Sequence, residues 1–186
     1  MKINQKYTGF HRLLHWLMAI AMPILFLTGF LRMYWMGKQA VADAIASQGI
    51  EVTTEQAKAV YKVLREPMWE WHFIFAHVMI FTFLARIIFM IIKGIRFPNP
   101  FKGKQPLKER LQGFTYVYFY LFVFISAVTG IFIEKGFFPE WKGNIESIHK
   151  WGIYWFPIFI LLHLVGILVA EFSNKKGITS KMIGGD

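Results

Sequence analysis

The chain has 186 residues, of which 55% are apolar, 18% aromatic and only 17% charged, with a formal net charge of +10 and no cysteine. With a mean hydropathy of +0.41, this composition excludes a water-soluble enzyme and a nucleic-acid-binding domain, because too few polar side chains exist to cover a soluble surface. The lack of cysteine excludes a disulfide scaffold, an iron–sulfur cluster and a zinc–thiolate site.

Cutting the chain at its charges leaves four long apolar segments, 13–31, 71–92, 111–133 and 151–170. At about 1.5 Å per helical residue, each can cross roughly 30 Å of hydrocarbon. The first is too long, and lacks the small-residue cleavage motif, for a removable signal peptide, so it counts as a span. The expectation is a single integral membrane domain over 1–186, an all-α bundle of four transmembrane helices with spans about 11–33, 70–93, 111–133 and 147–172.

The connection 34–69 predicts structure of its own. Thr53 and Gln56 form the pattern of a capping box, and Ala57, Val60, Tyr61 and Leu64 repeat at helical spacing up to Pro67, which is expected to stop the run. A preceding piece from Gln39 to Gln48, ending at Gly49, offers it a partner. Together they predict a small external helical cap, serving at least as a cover for the spans.

The charge sets the orientation. Lys2, Lys6 and Arg12 at the N-terminus, Lys93, Arg96, Lys102, Lys104, Lys108 and Arg110 in the next connection, and Lys175, Lys176 and Lys181 in the tail face only Glu109, Glu171 and Asp186. The segments on the other side carry eight bases and eight acids. The positive-inside rule then predicts a multi-pass protein of a bacterial inner membrane with both termini cytoplasmic. The basic excess is read as topology, with no nucleic-acid partner.

All six histidines lie in or within a turn of the spans: His11 and His15, His72 and His77, His149 and His163. Ionisable residues are costly in lipid and face the bundle interior for a reason. His149 and His163 are 14 residues apart, about four helical turns, so one helix face presents two imidazoles about 21 Å apart. His15 enters from the cytoplasmic side and can meet His163; His72 enters from the external side and can meet His149. Two stacked bis-imidazole pairs are what two b-type haems require, with no carboxylate within the spans to complete a zinc or copper site. His11 and His77 remain alternatives, each able to displace its neighbour as a ligand.

The same 14-residue count places Gly29 after His15, Arg86 after His72, and Gly130 after Tyr116. Gly29 and Gly130 fall at the external level, where a missing side chain lets a macrocycle approach the backbone, or simply lets helices pack. Arg86 and Tyr116 fall at the cytoplasmic level as propionate partners, Arg86 equally serving as a structural ion partner.

The stretch His11-Arg12-Leu13-Leu14-His15-Trp16, Thr28-Gly29, His72 with Arg86, His149 with His163, and the closing run from Lys176 to Gly184 resemble the bacterial cytochrome b561 and nickel-hydrogenase b-type cytochrome family over nearly the whole chain. The resemblance implies an inner-membrane dihaem protein exchanging electrons with the quinone pool, with iron ligands carried onto His15, His72, His149 and His163. The external loop is longer than in the compact stand-alone members, and the cytoplasmic loops are shorter than in the hydrogenase subunits, which leaves the branch and the electron partner open.

The function expected is electron transfer across the membrane between a donor or redox partner protein and quinone or quinol, as a cytochrome b subunit of a respiratory oxidoreductase, in a homo- or hetero-oligomer. Arg12, Glu109, Arg110 and Gln112 could line a quinone site or merely anchor the interface. One alternative is a stand-alone oxidoreductase that passes electrons from superoxide or another small reductant to quinone, with Lys38, Lys58, Lys62 or Arg65 as the cationic route in. Another is a haem-free membrane anchor or a metal or proton transporter.

Overall fold

The computed structural model describes residues 7–95, 97–101, 103, 106–172 and 177–184. Of the charge pattern, Lys2, Lys6, Arg96, Lys102, Lys104, Lys175, Lys176 and Asp186 lie outside the described residues. Among the described residues there are seven α-helices: α1 Gly9–Phe30, α2 Lys38–Ser47, α3 Thr54–Ile92, α4 Leu107–Lys135, α5 Lys142–Lys150, α6 Gly152–Glu171 and α7 Ile178–Ile183. Four helical stretches are long and apolar enough to cross a membrane, the last combining α5 and α6. Among the described residues there is no strand.

The first span opens at Thr8, whose hydroxyl accepts from the His11 amide, and closes through a π-helical turn at Leu31–Trp35. Such wide turns displace a side chain from its α-helical register, and here the displaced register carries Arg32. The cap forms as expected. Thr53 and Gln56 make the full capping box, Gly49 takes a left-handed φ of 69° after α2, and α2 packs on α3.

Pro67 does not stop the helix. The cap helix and the second span are one continuous helix of 39 residues with Pro67 inside it. Proline removes one backbone hydrogen bond, a loss that membrane helices tolerate where water or neighbouring groups satisfy the freed carbonyl. The fourth span, by contrast, is interrupted. Trp151 separates α5 from α6 with φ −61° and ψ −14°, close enough to helical that the two pieces keep nearly one direction.

In the bundle α1 packs chiefly on α3 and also on α6, while α4 packs on α5 and α6. The core between them is Met18, Ala21, Met22, Met79, Phe83, Phe119, Phe122, Val123 and Phe159. Most other large apolar side chains are exposed, the arrangement expected when lipid is the outer solvent. At one end the Arg12 guanidinium donates to the Ile183 carbonyl at 3.5 Å and Trp16 Nε1 to the Met182 carbonyl at 3.3 Å. Both chain ends therefore lie at the same end of the bundle, opposite the cap. At that end the connection after α3 rests on Gly113, where a Cβ would collide with the Pro98 carbonyl oxygen.

Candidate functional site

Two histidine pairs form across the bundle. Near the cap, His72 of α3 faces His149 of α5 with ring centroids 6.3 Å apart. Near the chain ends, His15 of α1 faces His163 of α6 with centroids 6.1 Å apart. With metal–imidazole bonds of about 2.0–2.1 Å and ring centres about 1.1 Å behind each nitrogen, two axial imidazoles on one metal have centroids roughly 6.3 Å apart. The pairs are thus spaced for a single six-coordinate ion between each two rings, and too far apart to bond directly. The break at Trp151 leaves the 14-residue register intact enough for both meetings.

The outer pair is held by two threonines. Thr28 Oγ1 lies 2.8 Å from His72 Nδ1, and Thr129 Oγ1 lies 3.0 Å from His149 Nδ1. Each hydroxyl donates backward along its own helix, Thr28 to the Ile24 carbonyl at 2.8 Å and Thr129 to the Ile125 carbonyl at 2.6 Å. Its proton committed there, each oxygen accepts from the imidazole, so Nδ1 carries hydrogen and Nε2 keeps its lone pair for a metal. The sequence places each threonine before a glycine but gives the hydroxyls no role; the repeated Thr-Gly dipeptide was the available signal.

A cavity of about 830 Å³ adjoins this pair, lined by His72, His149, Gly29 and Gly130 among others, within the size range of cofactor sites. Gly130 is required by the ring itself, since a Cβ there would stand 3.2 Å from His149 Cε1, whereas a Cβ on Gly29 would meet no protein atom within 4 Å. The two glycines, equivalent by spacing, differ in what they accommodate. Arg32, Lys38, Arg65 and Lys142 also line the cavity. Arg32 stands 4.8 Å over the Trp69 ring, and Trp69 stacks on His72 at 5.7 Å.

At the inner pair, His163 stacks on Phe159 at 5.5 Å and His15 meets Trp16 edge-on at 5.6 Å. Arg86 is 8% exposed and acts electrostatically on both rings. Its Nε donates to the Tyr120 hydroxyl at 3.1 Å, and among the described residues it makes no ion pair and its terminal nitrogens no hydrogen bond. A buried cation with free donors and no carboxylate is the partner an anionic cofactor group needs. Tyr116 instead stacks on Phe97 at 4.3 Å, so the tyrosine on the Arg86 side chain is Tyr120.

The remaining candidates form no further pair, although His77 also lines the outer cavity. His11 stacks on Tyr7 at 5.2 Å and approaches Phe89, and His77 bonds the Phe73 carbonyl at 2.8 Å; neither faces another histidine across the bundle. Arg12 is engaged at Ile183, and Arg110 Nε donates to the Pro100 carbonyl at 3.4 Å; Glu109 and Gln112 sit in the first turns of α4. Lys58 pairs with Glu55 at 2.7 Å in the cap, and Lys62 is exposed beside it.

A family model described as prokaryotic cytochrome b561 matches residues 6–185. The chain belongs to that family. A prokaryotic cytochrome b561 is a membrane b-type cytochrome that takes part in electron transfer and binds b-type haem, which sets aside the haem-free anchor or transporter. No curated protein and no solved structure matches this cytochrome b561. The residues present fit the haem: two-ligand imidazole pairs at axial spacing, the protonated Nδ1 of the outer rings, and the free donors of Arg86. Among the described residues no group of three or more His, Asp or Glu side chains converges as a closed metal cage would need.

Proposed function

We propose that the chain holds two b-type haems, one between His72 and His149 and one between His15 and His163, and carries electrons across the membrane between an external donor and the quinone pool. The observation that carries this reading is the pair of facing imidazoles, 6.3 and 6.1 Å apart, at opposite ends of one bundle. The haem iron supplies reversible one-electron oxidation and reduction. The chain's residues do the rest. His15, His72, His149 and His163 would hold the two haems, Arg86 would offer donors to an anionic group of one, and Gly29 and Gly130 would leave room beside the outer pair. Between the pairs Met18, Met22, Phe119, Phe122 and Phe159 exclude water, so that charge moves through the core without accompanying ions.

The basic excess at the chain ends supports placing that end in the cytoplasm of a bacterial inner membrane. A quinol gives up two electrons and two protons, so each one oxidised or formed corresponds to two passages through the chain. The electron partner is a membrane or periplasmic redox protein in the subunit reading. One observation favours the stand-alone reading as well: Arg32, Lys38, Arg65, Lys142 and Lys150 line the outer cavity against Glu134 and Glu146, and among the described residues the first four are in no ion pair. That local field attracts a small anionic reductant although the external side as a whole is neutral.

The test is a reduced-minus-oxidised spectrum with haem quantitation per chain. Two haems are expected; His15→Ala and His163→Ala should remove one of them, and His72→Ala and His149→Ala the other. One haem per chain, or loss of both from every variant, refutes the four-ligand scheme.

A further inference from the structure

Each histidine pair has one arginine acting on it, Arg32 on His72 and His149 and Arg86 on His15 and His163. Each is flanked by aromatic rings, Trp69 at the outer pair and Phe159 and Trp16 at the inner. Ring packing is therefore common to both ends, whereas the cavity at the outer pair also carries Lys38, Arg65, Lys142 and Lys150 against Glu134 and Glu146. Hydrogen bonding differs as well. Both outer rings meet a threonine oxygen, at 2.8 and 3.0 Å, while among the described residues neither His15 nor His163 has a hydrogen-bond partner on its ring nitrogens.

The outer arrangement is also the more tightly specified. Thr28 Oγ1 is bonded to the Ile24 and Leu25 carbonyls, at 2.8 and 3.0 Å, and Thr129 Oγ1 to the Ile125 and Ser126 carbonyls, at 2.6 and 3.2 Å. Both threonines are buried. The hydroxyl cannot turn to donate to the ring without abandoning the helix, so the acceptor role is fixed. An acceptor on Nδ1–H draws that proton away, makes Nε2 a stronger donor to a metal, and favours the more highly charged ferric state over the ferrous one. The Thr28 and Thr129 pair does this from two separate helices to two separate ligands of the same site.

We propose that Thr28 and Thr129 are positioning residues that lower the reduction potential of the outer haem, acting against the cations that line its cavity. The inference rests on the reading of His72 and His149 as the ligands of one haem. It names two residues that set a potential, which that reading alone leaves open.

The experiment is a spectroelectrochemical titration of the purified two-haem protein beside Thr28→Val, Thr129→Val, the double valine variant and the double serine variant. Valine keeps the shape and removes the oxygen; serine keeps the oxygen. A His163→Ala background, carrying only the outer haem, assigns the waves. The outer wave is the one expected to respond. Each valine raises it, the double variant by a tenfold change in the redox equilibrium or more, about 59 mV for one electron, with the inner wave unmoved and the serine variant close to wild type. The low-spin ferric electron-paramagnetic-resonance signal of the outer haem moves in parallel. If the double valine variant loses that haem, the single variants carry the measurement. An unchanged outer wave with both haems present overturns the proposal, as does an equal shift of both waves. A haem count other than two fails the ligand scheme instead, and is distinguishable because it appears before any potential is read.

Discussion

Arg86→Met should change sign with the cofactor. In the haem-free protein the guanidinium is 8% exposed, holds one hydrogen bond to Tyr120 and has no carboxylate among the described residues. A lone arginine in the middle of a membrane span costs about 2.5–3.5 kcal/mol, and methionine fills the same length of core at no electrostatic cost. The Tyr120 hydroxyl is not orphaned by the exchange, because it already donates to Met90 Sδ at 3.1 Å. The haem-free variant should therefore be more stable by about 1–3 kcal/mol. In the loaded protein the same exchange strips a buried carboxylate of its cation, a loss of about 3–5 kcal/mol, which weakens inner-haem binding by a factor of about 100 or more. Thermal unfolding in detergent of material from haem-deficient and haem-sufficient cells measures both, with haem counted by pyridine haemochrome. A variant destabilised equally in both forms, or one that loses the outer haem instead of the inner, would refute the reasoning.

Two other perturbations separate residues that look alike. Gly130→Ala presses a Cβ to 3.2 Å from His149 Cε1 and should cost about 1–3 kcal/mol through a displaced ring, seen as selective loss of the outer haem. Gly29→Ala meets nothing in the protein and should raise haem-free stability by roughly 0.4–1 kcal/mol; equal effects of the two on haem-free stability would contradict the geometry. Glu171 accepts from the Gly177 and Thr179 amides at 2.8 Å each, so Glu171→Ala should cost about 1 kcal/mol, as the loss of a helix cap does. Its signature is faster amide exchange confined to 177–184, and unchanged exchange there would refute the tether.

The four spans and the two histidine pairings were legible because they depend only on hydropathy and on a 3.6-residue period. A register of 14 survives even the joint at Trp151, since that residue stays near helical φ and ψ. What the sequence hid depends on the rotation of one helix against another. Thr28 and Thr129 read as ordinary small neighbours of glycine until their helices turn them onto His72 and His149. Tyr116 and Tyr120 are one turn apart, and spacing alone could not show that the hydroxyl Arg86 meets is that of Tyr120. Pro67 read as a stop because the rule is learned in water, whereas the apolar run beyond it continues the helix regardless. Segments 32–70 and 134–150 are neutral in total, and only folding gathers Arg32, Lys38, Arg65 and Lys142 around one cavity.

Each facing pair joins one imidazole from the first half of the chain to one from the last span: His15 with His163, and His72 with His149. During synthesis neither pair can exist until that span has left the ribosome and entered the bilayer, and α7, pinned at Arg12 and Trp16, follows only at the very end. A truncated or half-inserted chain thus offers no bis-imidazole seat at all. On the proposed ligand scheme, loading of cofactor therefore reports completed membrane insertion.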